Sequence, residues 1–533
     1  MTLRRSLLPL FALGVAAITG CSHKGIQTPH DNILRYPLLA SPTTFDPAMV
    51  TDGTTIDMLQ QIFEGLVQWT PQNTLAPDLA SSWTKSSDGL TYTFHMRKDV
   101  TFQDGTPLTA SDVKYSITRA LLPSEKSPVA LAYLGDIVGA ADVNAGRSPD
   151  VKGIQVPDPY TVVFHIVKPE ASWIYTLTYP TAYVVSKKEA SQASGELTSD
   201  LDIAGAGSGP FKLTRYDPDS LAVLTANAAY WDGAPKIAGM ERPVVIDANT
   251  RHSMFLSGKL DMVDEQKSAF ESDAANPATR GLLHEFPRAA TYYIGLNEKT
   301  FPPFADVRVR QALAYATDKA RIQSIVLKGK QEVAQDLLPN GIPGFDPAFK
   351  GIPYDPAKAR QLLAAAGYPG GAGFPTIPIS YRQSYPDLVQ TVDLIRTMWH
   401  DNLGINVEAR VTEWSVLLSE EDSDKLDCYH IRWAADYLDP QDFYSLLLRS
   451  GSSENHVGYA NPKYNALCDA ADVDQDPADR AKKYREAARI AADEVPLIPL
   501  YYQTDFELIS PRVHNLEDGL MGHLPYKHTT LAN

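Results

Sequence analysis

Apolar and polar residues alternate in short runs through the first half of the chain and recur at helical spacing in the second. Residues 88–108, DGLTYTFHMRKDVTFQDGTPL, place Tyr92, Phe94 and Met96 on one face of a strand, with Asp-Gly pairs at both ends. A helix over 109–120 follows, with Ser111 as its N-cap and Val113 and Ile117 one turn apart. Strands return over 150–185, including YTVVFHIV. Residues 207–227 hold two apolar runs around a turn of Asp, Pro and Ser, which predicts a hairpin. Near residue 290 the pattern changes. Helical spacing over 306–327, 356–366, 387–403 and 478–494 alternates with the short strands IPISY and INVEARV, so this half is α/β. No period of 20–50 residues recurs, which sets aside solenoids and propellers.

Composition narrows the function classes. The 533 residues are 44% hydrophobic and 21% charged, which supplies several packed cores. A net charge of −16 without a basic cluster repels phosphate backbones, so nucleic acid is not the expected partner. Cys21, Cys428 and Cys468 are too few for a disulfide scaffold and lack zinc-site spacing; whether Cys428 and Cys468 pair stays open. The chain has no G-x-S-x-G elbow, no phosphate loop and no H-E-x-x-H helix. GAGSG at 205–209 leads into strand-like PFKL and reads as a flexible crossover. Ser82 and Lys85 match S-x-x-K without companion motifs, with Trp83 in a loop-like setting. The twelve histidines are scattered, and His430 and His456 are too distant in sequence to imply a shared metal. These absences leave soluble ligands or protein partners, with no cofactor and no metal expected and a secreted hydrolase as the rival from another class.

The N-terminus reads as an address. Arg4 and Arg5, the apolar run Leu7 to Ala17 and the small residues after it follow the order of an export signal over residues 1–20. The run is shorter than the roughly 20 residues that span a bilayer. Ile18, Thr19, Gly20 and Cys21 resemble a bacterial lipobox, which implies acylation of Cys21 and anchoring to a lipid membrane. Residues 21–33 are polar and aperiodic, as a flexible tether would be.

Several phrases together resemble the extracytoplasmic solute-binding proteins of peptide ABC importers, of the oligopeptide- and dipeptide-binding type. SPTTFDPA (41–48) and IFEGLVQW (62–69) look like that family's opening strand and first helix. The block APDLASSWTKSSDGLTYTFHMRKDVTFQDGTPLTASDVKYS (76–116) is its most recognisable part. GSGPFKL, NAAYWDGAPKI, FLSGKLDMV, FADVRVRQALAYATDKARI, YDPAKARQLLAAAGYP, RWAADYLDP, YANPKYNAL and VPLIPLYY follow in the family's order, up to residue 502. The resemblance implies a two-lobed, class II periplasmic-binding-protein-like clamp of α/β type with an additional domain inserted in lobe I. By analogy lobe I comprises 34–62, 181–291 and 500–533, the extra domain 63–180, and lobe II 292–499. It also implies a monomer in the periplasm or at the cell surface that hands peptides to ABC permease subunits. A non-peptide solute, such as a nickel complex or a sugar, is the alternative within the fold.

The same resemblance points to candidate residues. Asp436 matches the position where a carboxylate meets a peptide's α-ammonium, a charge-assisted contact that is strong when dry; a helix or turn cap is the plain structural alternative. Trp433 and Ala434 would flank the peptide backbone, and Thr51, Asp52 and Gly53 match a segment that pairs with the peptide as an added strand. The chain departs from the pattern at His430, where the family's oligopeptide binders have an arginine, with Arg432 nearby but at a different position. Ser127 and Pro128 are followed by Val129 and not by an aromatic. Tyr292 and Tyr293 match aromatics at the crossover between lobes.

Overall fold

The computed structural model describes residues 31–192, 197, 203–265, 267–382 and 386–532. The export signal, Cys21 and most of the expected tether lie outside the described residues. No helix among the described residues is long and apolar enough to cross a membrane.

The first half builds two four-stranded sheets. One runs Ile33–Arg35, Gly239–Pro243, Leu221–Ala226 and Phe211–Asp217, closing the expected hairpin. The other runs Ala80–Lys85, Thr91–Met96, Thr161–His165 and Ile154–Asp158. In the second sheet Tyr92, Phe94 and Met96 are all buried while their neighbours are not, as a period of two requires. A shared core of residues from Leu34 to Met262, with Tyr437, Leu446, Ile509 and Tyr526, joins both sheets.

Six further strands form a sheet in the order Met262–Asp264, Leu497–Ile509, Leu283–Leu296, Cys428–Ala434, Ile377–Arg382 and Val407–Thr412. Leu283–Leu296 and Leu497–Ile509 are 14 and 13 residues long and antiparallel. Aromatic and branched residues fill both, which favours the extended chain. Their register shifts between Pro287 and Thr291 and again between Tyr292 and Tyr293. Up to Pro287 the strand Leu283–Leu296 pairs only with Leu497–Ile509; from Ala290 onward it also pairs with Cys428–Ala434. The two long strands therefore run without a break from one body of the molecule into the other. Beyond that joint, helices pack on both faces. Val307–Tyr315, Pro356–Ala365 and Pro386–Leu403 enclose one core, and Pro440–Leu448, Pro462–Asp472 and Pro477–Glu494 another. Four of these helices start with Asp-Pro or Asn-Pro: Asp355, Asp439, Asn461 and Asp476 cap the first free amides, and proline takes the next position, where no amide hydrogen is needed.

Several local expectations need correction. The helix after Thr109 runs Ala110–Ala120 and its N-cap is Thr109, whose amide and hydroxyl both donate to Asp112 at 2.9 Å; Ser111 is already inside the first turn. SPTTFDPA forms no strand, because the opening strand is Ile33–Arg35. The first helix is Gly53–Ile62, with IFEGLVQW mostly beyond it. Trp83 lies on a strand and packs on Phe94. The 306–327 segment is two helices, Val307–Tyr315 and Lys319–Ile325, the second restarted by Asp318 as a new cap. GAGSG is a close approach and not a flexible link: a Cβ on Gly207 would sit 2.0 Å from the carbonyl oxygen of Ile62. Cys428 and Cys468 are both free and buried.

Candidate ligand-binding site

A cavity of about 500 Å³ lies beside the register shifts of the long strands, a size suited to a small organic ligand. Its wall contains every candidate from the sequence: Thr51, Asp52, Gly53, His430, Arg432, Trp433, Ala434 and Asp436. Tyr292 and Tyr293 also face it.

The strand Cys428–Ala434 delivers four of these residues. It is held between Leu283–Leu296 and Ile377–Arg382, with Trp433 opposite Thr291 and Ala434 opposite Ala290. Alternation sends His430 toward Tyr292, whose ring it stacks on at 5.7 Å, and leaves Ala434 exposed at the wall. Arg432 donates to Gln503 at 2.6 Å. Its guanidinium lies across from Gly53, where an added Cβ would meet it at 3.6 Å. The Trp433 indole donates to Asp442 at 3.0 Å, and the same carboxylate accepts the Asp436 amide at 3.2 Å. Asp442 thus ties the end of the strand to the first turn of helix Pro440–Leu448.

Asp436 is not that helix's cap. Asp439 takes the cap position, and Arg480 grips it with two bonds of 2.6 Å. The Asp436 carboxylate instead accepts the phenol of Tyr133, which is stacked on Tyr179 at 4.0 Å. Burial raises the Asp436 carboxyl to about 8, the Tyr133 bond opposing the shift and the nearby Glu454 adding to it. Among the described residues no basic side chain pairs with it. Asp52 differs: its carboxylate caps helix Gly53–Ile62 through Thr55 and accepts Thr43 at 2.8 Å, so its acceptors are already engaged.

His430 is 1% exposed and neither ring nitrogen has a hydrogen-bond partner; burial lowers its pKa to about 4, so the imidazole is neutral. Arg382, also on the wall, stacks on Trp414 at 4.3 Å. His456, also on the wall, is held by Glu454 and Asp424. Burial works against its cation, yet with Glu421 they push its pKa up to about 9. The wall thus carries charges of both signs, among them Asp436 with Glu454 near it, Arg382 and Arg432, and the neutral His430. Tyr133, Tyr179, Glu454 and Arg382 were not singled out in the sequence, and His456 only as too distant from His430 to share a metal. No local pattern ties Tyr133 to Asp436, 303 positions away.

A two-bodied α/β fold joined by two continuous strands, with a ligand-sized cavity lined by charged and aromatic residues at the joint, defines a clamp-type binding protein. The family model of bacterial extracellular solute-binding proteins, family 5, matches residues 74–455, and the chain belongs to that family. It is 30% identical over 515 residues to Heme-binding protein A of Haemophilus influenzae, covering 92% of this chain and 91% of that one. It is 28% identical to the periplasmic murein peptide-binding protein MppA of Escherichia coli, over 88% and 87% of the two chains. A solved structure of MppA superposes with a TM-score of 0.87, 25% identity and coverage of 95% and 99%. The unliganded open form of the same protein gives 0.69 at the same identity.

Proposed function

We propose that the chain is an extracytoplasmic receptor that binds peptides in this cavity and delivers them to an ABC importer, held to the membrane by acylated Cys21. One observation carries the substrate class: Asp436 is a carboxyl deep in a cavity wall with a phenol and no cation as its partner. A peptide's α-ammonium is the missing charge, and bringing it there would ionise the acid and form a dry, charge-assisted pair. Arg432 and Arg382, with His430 as a neutral donor, would receive carbonyl or carboxylate oxygens further along. Trp433 and Ala434 would flank the peptide backbone, with Thr51 and Gly53 on the opposite wall. Asp52 would act by positioning that wall through its cap.

The motion we infer is hinge closure of lobe II (292–499) against lobe I (34–62, 181–291 and 500–533) and the extra domain (63–180). Its joint would be the shifted register at residues 287–293. Two observations support this reading: the difference between the 0.87 and 0.69 superpositions on MppA, and the Tyr133–Asp436 bond, which links the extra domain to lobe II.

Native mass spectrometry of the purified mature protein, followed by denaturation and identification of the released molecules, tests the proposal. Peptides of similar length and mixed sequence are expected. A single non-peptide solute, or a cavity for which no peptide library raises the melting temperature, would overturn the substrate assignment.

A further inference from the structure

One helix contributes a whole face to the cavity. From helix Trp414–Asp422, the residues Trp414, Leu418, Glu421 and Asp422 all line it, at positions i, i+4, i+7 and i+8 of one side. The face is graded along its length: an indole, then an isobutyl group, then two carboxyls in the last turn. Arg382 stacks on the Trp414 ring at 4.3 Å, so a cation already sits at the aromatic end. The acidic end is short of one.

Glu421 is 7% exposed, yet no hydrogen bond or ion pair from the described residues reaches its carboxylate. Burial lifts its pKa from 4.5 to about 7; His456 opposes the rise, and Asp422 and Glu454 add to it. The His456 imidazolium is engaged elsewhere, with Nδ1 3.1 Å from Asp424 and Nε2 3.7 Å from Glu454. Lys299 reaches only Asp424, at 3.8 Å on the exposed side. Glu421, Asp422, Asp424 and Glu454 therefore share one imidazolium and one outlying ammonium. The helix adds to the imbalance, because its last turn holds no basic residue and its terminal carbonyls repel a carboxylate. A cation brought to Glu421 relieves each of these terms. Leu418, one turn earlier on the same face, offers an apolar track leading to it.

Glu454 ties this end of the cavity to the Asp436 carboxyl, since its charge acts on Asp436 as well as on Glu421 and Asp422. Resting on the peptide reading above, we propose that Glu421, with Asp422 beside it, forms a side-chain subsite selecting peptides that carry a lysine- or arginine-type residue near the N-terminus. The methylene stem would lie along Leu418 while the cationic head meets the Glu421 carboxylate.

The test is calorimetric titration of the mature protein at pH 7.5 with Lys-Ala-Ala, Ala-Lys-Ala and Ala-Ala-Lys and with their norleucine counterparts, which keep the stem and lack the ammonium. At one position lysine is expected to bind about tenfold or more tighter than norleucine, and E421Q to lose most of that preference. A merely structural role for Glu421 would weaken both peptides alike and leave their ratio unchanged. Peptides that bind with a lysine-to-norleucine ratio near one at every position overturn the subsite alone, as does a ratio in folded E421Q equal to wild type. Should none of these peptides bind, nor longer ones extended with alanine, the peptide reading falls and the subsite with it. Circular dichroism checks the fold of E421Q; if it fails to fold, D422N takes its place and the same ratio decides.

Discussion

If Asp436 is held as an acid until a peptide arrives, binding must release a proton. The free carboxyl stands at about 8 against its ordinary 3.8, so at pH 7 most molecules carry it protonated. Ionising it there costs about 1.4 kcal/mol, and each further pH unit of acidity adds about the same. Peptide affinity should therefore fall about tenfold per pH unit from pH 7 down to 6. The α-ammonium, with a pKa of about 7.7–8.0, is almost fully charged over that range and offsets part of the slope only above it. Above pH 8 the slope reverses as the peptide amine loses its proton. Calorimetry at pH 6.5 in two buffers of different ionisation enthalpy should count about one proton released per peptide. Asp436→Asn removes the titrating group while keeping its shape. Its affinity should lie about 2–5 kcal/mol below wild type at pH 8, with the gap closing by about 1.4 kcal/mol per pH unit toward pH 6. Equal wild-type dissociation constants at pH 6 and 7.5, or the same pH slope in Asp436→Asn as in wild type, would refute the reasoning.

Tyr133→Phe removes the phenol that steadies the Asp436 carboxylate; fluorescence titration should show peptide binding weaker by about 1.5–3 kcal/mol at pH 7.5, with an unchanged melting temperature. His523 is buried between Glu507 at 2.9 Å and Asp518 at 2.8 Å, and these acids overcome burial to raise it from 6.5 to about 9. Its folded pKa lies above the unfolded value, so the stabilisation is complete below pH 6.5 and lost as pH rises toward 9. Urea unfolding at pH 6 and 9 should differ by up to roughly 3 kcal/mol more in wild type than in His523→Gln. Gly207→Ala drives a Cβ to 2.0 Å from the Ile62 carbonyl oxygen and should cost about 3 kcal/mol, read as a drop in melting temperature; an unchanged melt would mean that the backbone there yields freely.

Local periodicity made much of the fold legible. The buried alternation of Tyr92, Phe94 and Met96, the hairpin around residues 217–221 and the long helices of the second half each depend on neighbours within one or two turns. What periodicity could not convey is which glycine packs against a distant backbone, as at Gly207, or that Trp83 sits on a strand facing Phe94. Candidate residues came from resemblance, and His430, Arg432, Trp433 and Ala434 line the cavity together because Cys428–Ala434 is a single strand ending there. Their chemistry was less legible. Asp52 and Asp436 look alike in sequence, yet one is consumed as a helix cap and the other holds only a phenol. Thr55 stands at the ordinary capping distance from Asp52, but Thr43 and Tyr133 complete the difference and no spacing rule connects them to the two acids.

The two long strands also decide when the molecule can become whole. Leu283–Leu296 acquires its partner Leu497–Ile509 only after some two hundred further residues have been synthesised. Pairing across such a separation is slow, because loop closure precedes any gain from contact. A chain ending short of residue 497 could bury much of each core and would still lack one of the two strands that bridge its bodies. The last stretch to be made is thus the one that finishes the joint, and until it docks a nascent chain has no completed cleft in which to trap a ligand.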